Sequence, residues 1–121
     1  MKNKFIIFTI FSLLFACDKE VNYDFFVKNN CDQSINITIV DYKNVETNKT
    51  IMTKEQLLVY SSKGLNKLTN EKVESVFSSI VITKDKDTAT RIYVDKNQWQ
   101  LQAFSDTQAN CYLTIDSTDF K

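Results

Sequence analysis

Apolar and polar residues alternate with a period of two along much of this chain. Tyr23, Phe25 and Val27 alternate with Asn22, Asp24 and Lys28, and Ile35, Ile37 and Ile39 alternate with Asn36, Thr38 and Val40. A strand with one buried face produces that pattern, and the β-branched and aromatic content agrees with it. Between the two runs, KNNCDQ is turn chemistry, with Asn29 and Asn30 able to take positive φ in place of glycine. DYKNVETNK (residues 41–49) reads as a long polar connection, followed by short strands at 50–52 and 56–60. Leu65, Leu68, Val73, Val76 and Phe77 then fall at helical spacing, with Asn70 as a cap and Glu71 and Glu74 in the first turn, which predicts one short helix over 70–76. Strands resume at 79–83 and, after a KDKDT turn, at 91–94; a last hairpin pairs 98–104 with 111–116 across SDTQAN. Seven or eight short strands with one helical insert predict an all-β fold, a small antiparallel β-sandwich forming a single domain over residues 23–121.

The amino terminus has another character. Lys2 and Lys4 precede an apolar run, residues 5–16, broken only by Thr9 and Ser12. As a helix those twelve residues would be about 18 Å long, too short for a hydrocarbon core of about 30 Å. Charge, short apolar core and a small residue at Ala16 have the layout of a secretory signal. Leu14-Phe15-Ala16-Cys17 resembles the lipobox of bacterial lipoproteins. The resemblance implies that residues 1–16 are removed, that the Cys17 thiol is diacylated, and that a lipid anchor is the protein's link to the membrane. The expected location is the cell envelope, at the outer membrane. Residues 17–22 hold the lipidated cysteine and a tether reaching about 17 Å, so the domain sits close to its membrane. Asp18 and Glu20, with Lys19 between them, resemble the acidic export signal of surface lipoproteins in the Bacteroidota.

Composition narrows the chemistry. Fifteen basic and fifteen acidic side chains become 13 against 15 once Lys2 and Lys4 are lost, and no basic block exists to neutralise phosphates, so nucleic acid is not an expected partner. The chain has no histidine and one glycine, which leaves no Ser-His-Asp or Cys-His machinery, no Gly-rich phosphate loop and no zinc site. Asp85 with Asp87 and Asp116 with Asp119 are paired carboxylates, read as solvated turn residues. No catalytic residue, metal, cofactor or small-molecule substrate is expected. With Cys17 taken by lipid, Cys31 and Cys111 are an even pair in an oxidising compartment, and a disulfide between them is expected. It would stabilise by about 4 kcal/mol in the chain-entropy model.

The mature chain resembles small exported lipoproteins of the Bacteroidota in YDFFVKNN, VFSSIVITKD, WQLQAF and CYLTIDSTDF, which implies the same fold and compartment. Asp87-Thr88-Ala89 and Asp116-Ser117-Thr118 resemble the O-glycosylation motif of exported proteins in that phylum, with Thr88 and Ser117 as acceptors. Asn36-Ile37-Thr38 and Asn48-Lys49-Thr50 match the N-glycan sequon and are read as accidental. Trp99 shares a strand face with Leu101 and Ala103 and is read as core. Phe26, Tyr42, Tyr93, Phe104 and Tyr112 lie out of phase with the core sets, and together they predict an apolar contact patch. The expected role is non-enzymatic protein binding, as an accessory or adhesin-like component of an envelope complex. The alternative is an inhibitor or immunity lipoprotein that presents VYSSKGLNKL (residues 59–68) to a hydrolase or toxin.

Overall fold

A computed structural model describes residues 20–65, 73 and 76–120. Among them, two four-stranded sheets pack face to face as a small β-sandwich. The strands are β1 (Val21–Asn29), β2 (Ile35–Asp41), β3 (Glu46–Ile51), β4 (Gln56–Leu65), β5 (Phe77–Lys84), β6 (Asp87–Thr88), β7 (Gln100–Ser105) and β8 (Gln108–Ile115). One sheet has the order β4-β1-β8-β7 and the other β3-β2-β5-β6. Short 3-10 helices occur at Lys96–Gln98 and Ser117–Phe120.

The alternation predicted for β1 and β2 is the observed one: Val21, Tyr23, Phe25 and Val27 are buried, as are Ile35, Ile37 and Ile39. Val21, two residues before the expected start of the domain, is already in the strand and in the core. Phe25 is the centre of the interior. Its ring meets Phe77 at 4.8 Å and Trp99 at 5.6 Å, both edge-on, and Phe77 and Trp99 stack at 6.2 Å. Such pairs contribute about 0.5–1.5 kcal/mol each beyond area burial.

Three features depart from expectation. First, β1 and β8 are parallel, from Asn22–Gln108 to Asn29–Ile115, so the sandwich is mixed and not wholly antiparallel. Second, the polar stretch after β2 contains β3, an edge strand of sequence ETNKTI in which only Ile51 is buried. An edge strand needs little apolar surface and is protected by charge, so alternation does not reveal it. Third, residues 91–94 are not a strand. β6 lies earlier, at the end of the expected turn, and Asp85 there takes φ 55°.

Bulges reset the phase of several strands, β5 and β4 among them. On β5 the register passes from Val40–Ser79 to Asp41–Phe77, leaving Ser78 extra, so Phe77 and Ile80 both point inward. On β4 it passes from Phe25–Tyr60 to Phe26–Leu58, leaving Val59 extra. Of the helix expected over 70–76, residues 70–72 and 74–75 lie outside the described residues; Val73 and Val76 have helical backbone and are buried.

Asn29 and Asn30 do not take positive φ; Asn44, Lys54 and Asp85 do. Asn29 is instead fully buried and organises the corner after β1. Its Nδ2 donates to the carbonyls of Gln33 (2.9 Å) and Ile51 (3.0 Å), and its Oδ1 accepts from the Cys31 N–H at 2.8 Å.

Candidate protein-contact face

The β4 bulge and the parallel β1–β8 pairing build the outer face of the β4-β1-β8-β7 sheet. Because Val59 is bulged out of register, Leu58 stands opposite Phe26 on the solvent side. Phe26 is in register with Tyr112 on β8, and Tyr112 with Gln100 on β7. The rings of Phe26 and Tyr112 stack with centroids 5.4 Å apart and planes 20° apart. A row Leu58–Phe26–Tyr112–Gln100 therefore crosses the sheet, with exposed Leu58 at one side and two half-buried rings in the middle.

On the side towards the start of β1, polar groups border this row and are tied to one another. Asp24 accepts from Ser61 Oγ at 2.7 Å and from Gln108 Nε2 at 3.3 Å. Gln108 Nε2 also reaches Asn110 Oδ1 at 3.2 Å, and Asn110 Nδ2 donates to the Tyr112 hydroxyl at 3.0 Å. The network fixes the Tyr112 ring without covering it. Apolar rings flanked on one side by hydrogen-bonded polar groups make this a candidate contact patch.

Compared with models of known families, with curated proteins and with solved structures, the chain finds no match.

Three of the five out-of-phase aromatics stand elsewhere. Phe104 is exposed in the bulge between Ala103 and Ser105 on β7, and Tyr42 is exposed at the turn after β2. Tyr93 is a correction: it is 2% exposed and belongs to the core. Its phase was read from a strand that does not exist. Its hydroxyl donates to Asp119 Oδ1 at 3.1 Å, and the Trp99 Nε1–H donates to its carbonyl at 2.7 Å. Burial, with the Asp119 charge second, pushes the Tyr93 hydroxyl up to about 12. Asp119 is also not a solvated turn residue. It is 4% exposed, pairs with Arg91 Nε, and accepts from the Asp116 N–H at 2.9 Å. Arg91 closes the corner through Gln98 Oε1 (2.7 Å) and the Thr114 carbonyl (2.9 Å).

The disulfide is also corrected. Cys31 and Cys111 are free and buried. Cys111 pairs with Phe25, whereas the end of β1 that leads to Cys31 pairs with Ile115. The four residue steps from one register pair to the other span about 13 Å along the strand, beyond the Cα separation of about 7 Å that a disulfide tolerates. Burial raises the Cys31 thiol and pushes the Cys111 thiol up to about 12, so both are held protonated.

Thr88 on β6 and Ser117 at the start of the last 3-10 helix are exposed. Cys17 lies outside the described residues. The two sequons face each other on the outer side of β2 and β3, with Thr50 Oγ1 donating to Asn36 at 2.8 Å and Thr38 Oγ1 to Asn48 at 2.6 Å. Residues 59–65 of the expected loop are strand, paired with β1; residues 66–68 lie outside the described residues.

Asp41 is the other buried carboxylate that sequence reasoning missed. It accepts from the N–H groups of Lys43 (2.9 Å) and Val45 (3.0 Å) and from the Tyr60 hydroxyl (2.9 Å). The Val45 N–H leads in holding its carboxyl below the usual range, and the Thr118 hydroxyl does the same for Asp116. A carboxylate held that low is a poor proton acceptor at neutral pH. Among the described residues no group of three or more His, Cys, Asp and Glu is placed to hold a metal.

Proposed function

We propose that this protein is a membrane-anchored lipoprotein of the cell envelope that works by binding another envelope protein, as an accessory or adhesin-like component of a complex, without catalysis. The observation that carries the binding half is the Phe26–Tyr112 stack, open to solvent beside Leu58 and bordered on one side by hydrogen-bonded polar groups. Rigid aromatic pairs give contact area at low entropic cost. The anchoring half rests on the residues before Cys17, whose layout is that of a lipobox. Two or more acyl chains hold a protein stably at a bilayer, since each buried CH₂ contributes about 0.8 kcal/mol.

The two halves are tested separately. Cys17→Ser should abolish acyl labelling and release the protein from membranes; an uncut signal with unchanged membrane fractionation would refute the anchor. For the face, Leu58→Ser with Tyr112→Ser should remove a native envelope partner that co-purifies with the wild type from detergent. Val81→Ser, an equally exposed apolar residue on the other sheet (44% for both Leu58 and Val81), should retain it. Equal retention in both variants would refute the face.

A further inference from the structure

Exposed apolar side chains gather at one end of the sandwich. Ile92 is 70% exposed, Tyr42 62%, Phe104 58% and Val45 55%. Tyr42 and Val45 belong to the turn after β2, beside a cleft of about 200 Å³ that Tyr60, Ser62 and Lys63 also line. Tyr60 and Ser62 are the register partners of Phe25 and Tyr23, so this turn lies where β1 begins. Ile92 lines an adjoining depression together with Tyr42 and Phe77. Phe104 sits between residues paired with Ala109 and Gln108, which are themselves the partners of Tyr23 and Asn22. The opposite end, built from the turns after β1, β3 and β5 and the last 3-10 helix, exposes Met52 alone among large apolar side chains of the described residues. Leu58 and Val81 lie on the sheet faces.

Single exposed apolar residues need no explanation; four at one end, with exposed Lys43 and Lys63 among them, have the make-up of an interfacial surface. The same end receives the chain from its apolar amino-terminal run. From Cys17 to Val21 the backbone reaches at most about 14 Å, so an anchor at Cys17 brings the bilayer to this end and to no other. We propose that this end of the sandwich is a lipid-contacting surface, with Val45, Ile92 and Phe104 entering the boundary between headgroups and acyl chains and Tyr42 beside them. The strands then stand away from the membrane, and the Phe26–Tyr112 face is turned sideways, clear of lipid. This inference rests on the anchoring reading above.

The test uses the full chain, recovered in detergent and reconstituted into phosphatidylcholine vesicles with or without bromine on the upper acyl carbons. Phe104→Trp, Ile92→Trp and Met52→Trp are compared over the common background of buried Trp99. Brominated lipid should quench the added emission of Phe104→Trp and Ile92→Trp and leave that of Met52→Trp unchanged. No quenching in the first two, or equal quenching in all three, overturns the proposal. Blue-shifted emission from Phe104→Trp before lipid is added also overturns it, because the chain itself would then cover this end. Flotation of the wild type separates the two readings. Flotation without quenching defeats the lipid surface and leaves the anchor standing; failure to float defeats both.

Discussion

Replacing Asp119 with alanine should cost the domain about 3 kcal/mol, most of it from the Tyr93 hydroxyl left without a partner. Tyr93 is 2% exposed, and its hydroxyl donates to Asp119 Oδ1; left without a partner it costs about 1–3 kcal/mol. The Asp116 N–H also loses its acceptor, but Asp116 is exposed and water replaces most of that bond. Arg91 is 37% exposed on its side chain and keeps its bonds to Gln98 and Thr114, so solvent screening limits the ion pair to under about 1 kcal/mol. A loss of about 3 kcal/mol should lower the melting temperature by roughly 12–24 °C in a domain of this size. Trp99 is a built-in reporter, since its indole N–H is bonded to the Tyr93 carbonyl, and its emission can follow urea unfolding. Asp87→Ala, at an exposed site, should stay within about 0.5 kcal/mol of wild type. In a Tyr93→Phe background, Asp119→Ala should cost about 1–2 kcal/mol less, because no buried hydroxyl is then stranded. If Asp119→Ala matches Asp87→Ala, or if the background makes no difference, the reasoning fails.

The cysteines are tested in Cys17→Ser: the native domain should react with no thiol reagent, and denaturation without reductant should release two thiols; none released would restore the disulfide. Because the Cys111 thiol ionises near about 12 when folded and near about 8.5 when unfolded, stability should fall as pH rises through that interval, and Cys111→Ala should flatten the slope. Asp41 has the opposite sign: with its folded pKa lowered, its contribution is complete above the ordinary carboxylate value of about 3.9 and is lost as pH falls through the lower folded value. Asp41→Asn should therefore flatten the acid limb of an unfolding titration, and an unchanged limb would count against the bonds drawn to that carboxylate. Tyr93→Ser should cost about 3 kcal/mol or more and Tyr42→Ser less than about 0.5; comparable losses in thermal melts would restore the original strand phasing.

Where one face of a strand is buried and the strand is regular, the sequence was readable. Tyr23, Phe25, Val27 and the three isoleucines of β2 declare their inward side by alternation alone. The reading broke down where a tertiary feature overrides the period. Ser78 and Val59 are extra residues in bulges, so Phe77 and Leu58 lie on faces that counting by two assigns wrongly. β3 is almost wholly polar because an edge strand has little to bury. Arg91-Ile92-Tyr93-Val94 alternates like a strand, yet the buried member is held by Asp119, 26 residues away, a bond with no local signature. The candidate face was half legible. Phe26 and Tyr112 stood out as aromatics out of phase, but nothing in the sequence says that β1 and β8 are neighbours, and nothing placed Leu58 in their row. Cys31 and Cys111 made an even pair on paper; the parallel register, not their number, keeps them apart.

That parallel register also sets how the domain carries force. The chain enters at the Asn22–Gln108 end of the β1–β8 ladder and leaves past the Asn29–Ile115 end, so a pull between the two termini draws adjacent strands in opposite senses along their length. A hairpin pulled at its open end parts one hydrogen bond at a time, whereas this ladder is loaded in shear and its bonds must yield together. Forced unfolding is governed by the unfolding rate and not by equilibrium stability, so a shear-loaded ladder can hold well beyond what the domain's modest size suggests. Tension applied along the β1–β8 axis meets the stiff direction of the molecule, whereas tension that starts at the β7–β8 turn would peel the sheet from its edge.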